Sequence, residues 1–181
     1  MAQGFSPACD VLVTMGGSDP AGMTEFALDA LELLDVPLAV RVIVGPACTR
    51  AEKIVDTIAR SRHSIEVSRA PLSMAPLMRS CRLAVSAFGI TAYELAACGV
   101  PAVHLCLTDD HRRSSSVFEH ERIARTAGMF GRITTQQLAD AVLELLKSPG
   151  LRKSMGDRAR QLVDGRGAGR VAAAIVQRLR A

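Results

Sequence analysis

The sequence has 181 residues, of which 49% are hydrophobic and 3% aromatic, and its formal net charge is +4. This length fits one domain with an aliphatic core, and no apolar run approaches the roughly 20 residues of a membrane-spanning helix. The charge is uneven: residues 150–181 carry eight Lys or Arg against two Asp, a net of +6, and the remainder is net −2.

Strand and helix signals alternate along the chain. Apolar runs predict strands at 11–14, 38–45, 65–70, 82–89, 100–107 and 129–133. Helical periodicity predicts helices at 24–35, 50–61, 74–81 and 91–98, then one after the polar stretch 108–116 that ends near Ala127, one at 135–147, and one or two basic helices at 150–181. This alternation predicts an α/β fold: a Rossmann-like, doubly wound parallel sheet of about six strands, in a single domain over residues 1–181.

The cysteines and the N-terminus indicate in which cellular compartment the protein is expected. The five cysteines, Cys9, Cys48, Cys81, Cys98 and Cys106, form no CxxC pair, so the pattern indicates neither a zinc site nor a disulfide framework. We expect reduced, mostly buried thiols in a cytoplasmic protein. The first ten residues, MAQGFSPACD, lack the charged and apolar regions of a signal peptide.

The first candidate loop, Gly16-Gly17-Ser18-Asp19-Pro20, follows the first strand. Ligands of open α/β sheets bind beyond the carboxyl ends of the strands, and glycines let the backbone approach an anion such as phosphate, to which the Ser18 hydroxyl can also donate. The loop is neither a Walker A sequence nor GxGxxG. A structural alternative, that Asp19 caps a helix with Pro20 at its first position, stays open.

The second loop, at residues 86–94, has two interpretations. Thr91 and Glu94 have the spacing of a capping box, which the residues alone favour. In the other interpretation Gly89 and Thr91 contact a phosphate, and the carboxylate of Glu94 accepts hydrogen bonds from the two hydroxyls of a ribose.

The third loop, at residues 108–113, follows the strand that ends at Leu107. Its charged residues suit a polar ligand such as a sugar, although a solvated loop with Asp109 or Asp110 capping the next helix is the commoner outcome. His111 is a candidate general base, but no carboxylate is recognisable that would orient it. His104, inside an apolar strand, is expected in the core.

Together these loops resemble a known family. The stretches VLVTMGGSDPAGMT and MAPLMRSCRLAVSAFGITAYELAACGVPAVHL, with the polar loop 108–113, are similar to the C-terminal domain of GT-B glycosyltransferases of the MurG type. They are more similar still to the UDP-sugar hydrolase of pseudaminic acid biosynthesis and to related spore-coat polysaccharide proteins. The resemblance covers most of residues 10–146.

The resemblance implies a single GT-B-type half that binds UDP or a UDP-sugar while the bond between sugar and UDP is broken, with no metal and no cofactor. In this family Glu94 would hold the ribose, and Asp110 and His111 would lie near the sugar. The other implied contacts are with the diphosphate, from Gly16, Gly17, Ser18, Phe88, Gly89, Ile90 and Thr91, and with the uracil, from the loop of Arg69, Ala70, Pro71 and Leu72 together with Met74.

The resemblance also implies what lies elsewhere. GT-B enzymes have two such domains, so the acceptor site and the catalytic residues, which we do not assign, would belong to a separate N-terminal domain or subunit. The activity would be that of a glycosyltransferase or a UDP-sugar hydrolase. The alternative is a non-enzymatic module whose basic helices at 150–181 bind an anionic partner such as a membrane surface; nucleic acid is not expected, because no aromatic platform is present.

Overall fold

The computed structural model describes residues 8–180. Residues 1–7 and Ala181 lie outside the described residues. Most of the N-terminal stretch in which we expect no signal peptide is therefore not described. The strands are β1 (Cys9–Thr14), β2 (Ala39–Val44), β3 (Ser64–Arg69), β4 (Cys81–Ala87), β5 (Ala102–Cys106) and β6 (Arg125–Met129). The helices are α1 (Met23–Leu31), α2 (Ala51–Ala59), α3 (Ala75–Arg79), α4 (Ile90–Cys98), α5 (Asp109–His120), α6 (Thr135–Lys147), α7 (Pro149–Leu162) and α8 (Gly167–Leu179).

The six strands form one parallel sheet in the order β3-β2-β1-β4-β5-β6. The predicted Rossmann-like α/β fold is therefore confirmed. The chain winds outward from β1 to β3 and then returns to place β4 on the other side of β1. At such a switch point the loops after β1 and β4 diverge to opposite faces, which opens a crevice at the carboxyl edge of the sheet.

Hydrophobic layers cover both faces of the sheet. In β1, Val11 and Val13 face the layer that contains α1 and α6, whereas Leu12 faces the layer that contains α4 and Phe118 of α5. Successive strand residues point to opposite faces, and all three are fully buried. The continuous apolar runs in the sequence are thus those of a sheet covered on both sides.

The predicted end of α5 and start of β6 are wrong. The helix ends at His120 and not near Ala127, and β6 spans Arg125–Met129 and not 129–133. The cause is Arg122, whose φ of 55° is left-handed. This conformation turns the chain so that the Ile123 amide donates to the Phe118 carbonyl at 2.9 Å, a hydrogen bond that closes the helix.

The expectation that all cysteines are reduced is also wrong. Cys9 and Cys81 are direct register partners on β1 and β4, with their Cα atoms 4.6 Å apart, and they form a disulfide. Their 72-residue separation hides the pair from any spacing pattern, because only the strand register brings them together. Cys48, Cys98 and Cys106 are free, and of these only Cys106 is buried.

The basic C-terminal helices differ in how they pack. Helix α7 buries Met155, Gly156 and Ala159 and contacts α4 and α6, whereas α8 has no buried residue. None of the helices within residues 8–180 is long and apolar enough to cross a membrane.

Candidate functional site

A cleft of about 390 Å³ opens at the carboxyl edge of the sheet, beside the switch point. It lies between the loops that follow β1, β2 and β3 and the first turns of α4. Its lining consists of Thr14, Gly16, Gly17, Ile43, Gly45, Pro46, Ala70, Pro71, Met74, Thr91 and Glu94. The fold thus brings together seven of the residues proposed from the sequence, which come from three separate loops: Gly16, Gly17, Ala70, Pro71, Met74, Thr91 and Glu94.

The glycine loop leaves open space above its backbone. Gly16 has a φ of 80°, which favours glycine, and a Cβ placed on Gly16 or Gly17 would meet no atom within 4 Å. Ser18 is exposed in the same turn but does not line the cleft. The geometry gives a ligand access to the backbone of this loop.

Asp19 caps the following helix, so the structural alternative given for this loop in the sequence analysis is right in part. Its two carboxylate oxygens accept hydrogen bonds from the amides of Met23 and Thr24, each at 2.9 Å, and the residue is buried. Helix α1 begins at Met23, so Pro20 lies in the preceding turn and not at the first helical position. Since Asp19 already supplies an anion to the N-terminus of α1, a phosphate near this loop would have to use the glycine backbone.

The N-terminus of α4 carries no side-chain cap. Its N-cap residue is Gly89, and Thr91 and Glu94 lie two residues too far into the helix to form the capping box, so that interpretation is wrong. Both side chains line the cleft instead. An uncapped helix N-terminus has free N–H groups and the positive end of the helix dipole, and it is therefore suited to an anion.

Other contacts implied by the resemblance lie outside this lining, namely Arg69, Leu72, Phe88, Gly89 and Ile90. The Phe88 ring is buried 5.4 Å from the His104 ring and 5.3 Å from the Phe118 ring, so its side chain supports the loop from beneath. Leu72 and Ile90 are exposed. Leu72 lines a neighbouring pocket that shares Met74 and Glu94 with the cleft.

The third loop forms the start of α5. Thr108 caps this helix by accepting a hydrogen bond from the His111 amide at 3.2 Å, so neither Asp109 nor Asp110 is the cap. Asp110 forms an ion pair with Arg113 at 2.8 Å. The His111 ring lies 6.3 Å from the Phe88 ring, and its buried Nδ1 has no hydrogen-bond partner among the described residues.

Gly45 is a site residue that the sequence analysis missed. A Cβ at this position would lie 2.3 Å from the carbonyl oxygen of Gly17 and 2.4 Å from that of Gly16. The loop after β2 therefore packs directly on the glycine loop, and the Ala47 amide donates to the Gly17 carbonyl at 2.9 Å. In the sequence, Gly45 was only the last residue of the strand predicted at 38–45.

The electrostatics of the cleft are simple. Glu94 is the only ionisable side chain in its described lining, and no Lys or Arg contributes to it. His104 is buried below the loops, where its Nδ1 lies 3.1 Å from the Ser86 hydroxyl. Burial lowers the pKa of His104 to about 4, so at neutral pH it is an uncharged core residue, as expected.

No family model matches the chain. Among curated proteins it is similar to the spore coat polysaccharide biosynthesis protein SpsG of Bacillus subtilis, with 26% identity over 165 residues, which covers 91% of this chain and 49% of SpsG. Among solved structures it is similar to MurG of Acinetobacter baumannii, with a TM-score of 0.74 and 20% identity over 98% of this chain and 54% of MurG. It is also similar to HepE of Anabaena in complex with UDP-glucose, with a TM-score of 0.67 and 17% identity over 90% of this chain and 48% of HepE.

These comparisons confirm the resemblance to the C-terminal domains of MurG-type GT-B glycosyltransferases and to a spore-coat polysaccharide protein. The chain has the α/β fold of one GT-B half. It spans about half the length of SpsG and of these solved structures.

Proposed function

We propose that this chain is the UDP-sugar-binding half of a GT-B-type glycosyltransferase or UDP-sugar hydrolase. The observation that carries the proposal is the cleft at the switch point, where an open glycine loop, an uncapped helix N-terminus and one carboxylate meet. The structures of HepE with UDP-glucose and with UDP support a nucleotide-sugar as the ligand of this fold.

The proposed binding mode divides the nucleotide among three loops. The diphosphate lies against the Gly16–Gly17 backbone and the first amides of α4 near Thr91. The ribose hydroxyls donate to Glu94, and the uracil packs beside Ala70 and Met74. Neutral N–H groups thus hold the diphosphate, because the described lining contains no basic side chain.

The role in catalysis follows from this arrangement. As the bond between the sugar and the β-phosphate breaks, negative charge develops on the departing UDP. Fixed backbone amides and a helix N-terminus stabilise that charge without reorganising. The described lining offers no general base, so the acceptor or water would be activated by residues of another domain or subunit.

Calorimetric titration of the purified chain with UDP tests this proposal, with ADP and GDP as controls. We expect selective binding of UDP, because the uracil is the part of the ligand that Ala70 and Met74 contact. Equal binding of the three nucleotides would contradict the proposed uracil site. Absence of binding to all three would contradict nucleotide binding by the isolated chain.

A second candidate is a non-enzymatic role for the basic C-terminal helices, for which α8 offers an exposed surface. Its residues are exposed throughout, and it carries Arg170 and Arg178, whereas α7 packs against the domain. Titrating the chain with anionic vesicles and with DNA at increasing salt would measure this role. If neither is bound at low salt, the basic helices have no anionic partner of either kind.

A further inference from the structure

A second cleft, of about 800 Å³, lies at the opposite ends of the strands from the nucleotide cleft. It is bounded by Cys81 at the start of β4, by Val100 and Pro101 just before β5, and by Pro149 at the start of α7. These are the amino ends of the strands, whereas the nucleotide cleft lies at their carboxyl ends. The two clefts share no lining residue, but they approach each other along α3 and α4, where Met74 and Glu94 line the nucleotide cleft and Pro76 and Cys98 line the second cleft.

The lining of this cleft, hereafter the basic cleft, is strongly cationic. Three elements supply five positive side chains to it: Arg79 from α3, Arg82 from β4, and Arg152, Lys153 and Arg160 from α7. No Asp or Glu lines it among the described residues. Two neighbouring carboxylates pair with part of this charge: Asp10 lies 2.9 Å from Arg82, and Asp157 lies 2.6 Å from both Lys153 and Arg160. Five positive charges thus face two negative ones.

The cations are held in place by the fold. Arg152 is partly buried and donates to the carbonyls of Leu145 and Leu146 at the end of α6. Its pKa is lowered by burial and then by the positive charge of Arg82, and it is raised by the charge of Asp10, the carboxylate that pairs with Arg82.

Arg160 is positioned by close backbone packing. A Cβ on Gly156 would lie 2.3 Å from the Gly99 carbonyl oxygen, so α7 lies directly on the turn that ends α4. Gly99 has a φ of 69°, and the Arg160 guanidinium occupies the space that a side chain at Gly99 would need. Glycine at both positions lets this arginine reach the basic cleft.

We propose that the basic cleft binds a ligand with at least two phosphate groups, separately from the nucleotide site. Arginine presents a planar fork of N–H donors that matches phosphate oxygens, and hydrogen bonds between charged groups are the strong ones. The volume lies in the range of small-molecule sites. A soluble polyphosphate ester and the headgroup of a phosphorylated lipid share this chemistry.

The test is a titration of the ¹⁵N-labelled full chain with inorganic pyrophosphate at low salt, followed by NMR. We expect the amide signals of Arg82, Gly99 and Val100 to shift. In the Arg79→Gln/Arg82→Gln variant, pyrophosphate binding at these amides should weaken by about tenfold or more, since two charge-assisted contacts are lost. The Arg178→Gln/Arg180→Gln variant removes the same charge from α8 and should bind as the wild type does. An unchanged spectrum away from Arg79 and Arg82 verifies that the variant is folded.

The outcomes separate the proposal from its rivals. Shifts confined to residues 16–18 and 89–91 would place pyrophosphate in the nucleotide cleft only and overturn the proposal. Equal weakening in both variants, or no binding at low salt, would overturn it as well. Sedimentation with cardiolipin–phosphatidylcholine vesicles, in which the cardiolipin headgroup carries two phosphates, then identifies the source. Vesicle binding that pyrophosphate displaces indicates a lipid headgroup, and pyrophosphate binding without vesicle binding indicates a soluble ligand.

Discussion

Glu94 carries the only charge in the described lining of the nucleotide cleft. If it binds the ribose, Glu94→Gln replaces an acceptor of two charge-assisted hydrogen bonds with a neutral amide. The expected loss is about 1.5 to 3 kcal/mol, or about 10- to 150-fold in UDP affinity, measured by calorimetry. Glu119→Gln, on the exposed surface of α5, is the matched control and should leave UDP affinity unchanged.

The ligand itself offers a second control on Glu94. The wild type should bind 2′-deoxy-UDP more weakly than UDP, and Glu94→Gln should largely abolish that difference because the partner of the hydroxyl is gone. If the wild type binds both nucleotides equally well, Glu94 does not recognise the ribose 2′-hydroxyl.

Gly45 supports the glycine loop by close contact. Gly45→Ala would place a methyl group 2.3 Å from the Gly17 carbonyl oxygen, so the loop must move. We expect UDP affinity to fall by at least about tenfold and stability by about 1 to 3 kcal/mol, measured by calorimetry and urea unfolding. Gly150→Ala has no atom within 4 Å of the new methyl group and lies in α7, so it should leave UDP affinity unchanged and should not lower stability. Full UDP affinity in Gly45→Ala would show that the loop tolerates the displacement.

His104 gives stability a pH dependence. Burial lowers its pKa from 6.5 to about 4 in the folded state, so the unfolded chain binds a proton first as the pH falls. The contribution of neutral His104 is complete above pH 6.5 and declines between pH 6.5 and 4, by about 3 kcal/mol in all. Urea unfolding across this range should show a smaller decline in His104→Asn. The same decline in both proteins would assign it to other groups.

The disulfide joins β1 and β4, the two strands on either side of the switch point. Closing a loop of 72 residues restricts the unfolded chain, and reduction should therefore lower the free energy of unfolding by about 4 kcal/mol. Urea unfolding with and without a reductant measures this. Cys98→Ser should respond to the reductant as the wild type does, whereas Cys9→Ser/Cys81→Ser should not respond. Thiol titration should find three free cysteines in the oxidised protein.

The elements that the sequence predicted well are those that a single local pattern defines. Strands β1 and β4 are buried on both faces, so their apolar runs mark them, and the 3.6-residue stripe of Leu138, Val142 and Leu145 marks α6. The end of α5 was missed because Arg122 adopts a left-handed φ that glycine usually supplies. The capping box was a false match, since Thr91 and Glu94 have the spacing but Gly89 is the cap.

At the scale of the whole molecule, the loops at the carboxyl edge were predictable because the parallel order places the ends of β1 and β4 side by side. The contribution of Gly45 was not, because it depends on contact between two loops from different strands. The disulfide and the basic cleft could not be predicted from the sequence for the same reason. Cys9 pairs with Cys81, and Arg82 and Arg152 line the same cleft, only through strand register and helix packing, which no local pattern encodes.

The last two helices should contribute very differently to stability. Helix α8 has no buried residue, and its ion pair between Arg170 and Asp164 is exposed. Removing residues 165–181 should therefore change the free energy of unfolding by less than about 0.5 kcal/mol. Urea unfolding of the truncated and full-length chains measures this change.

Point variants in α7 and α8 provide a matched comparison of how much each helix contributes to stability. Met155 of α7 is buried among the residues that pack on α1 and α6, so Met155→Ala should cost about 2 to 5 kcal/mol. Ile175→Ala, on the exposed face of α8, should cost almost nothing. If Ile175→Ala or the truncation destabilises the chain as much as Met155→Ala does, then α8 packs on the domain in solution, and its apolar face is part of the fold.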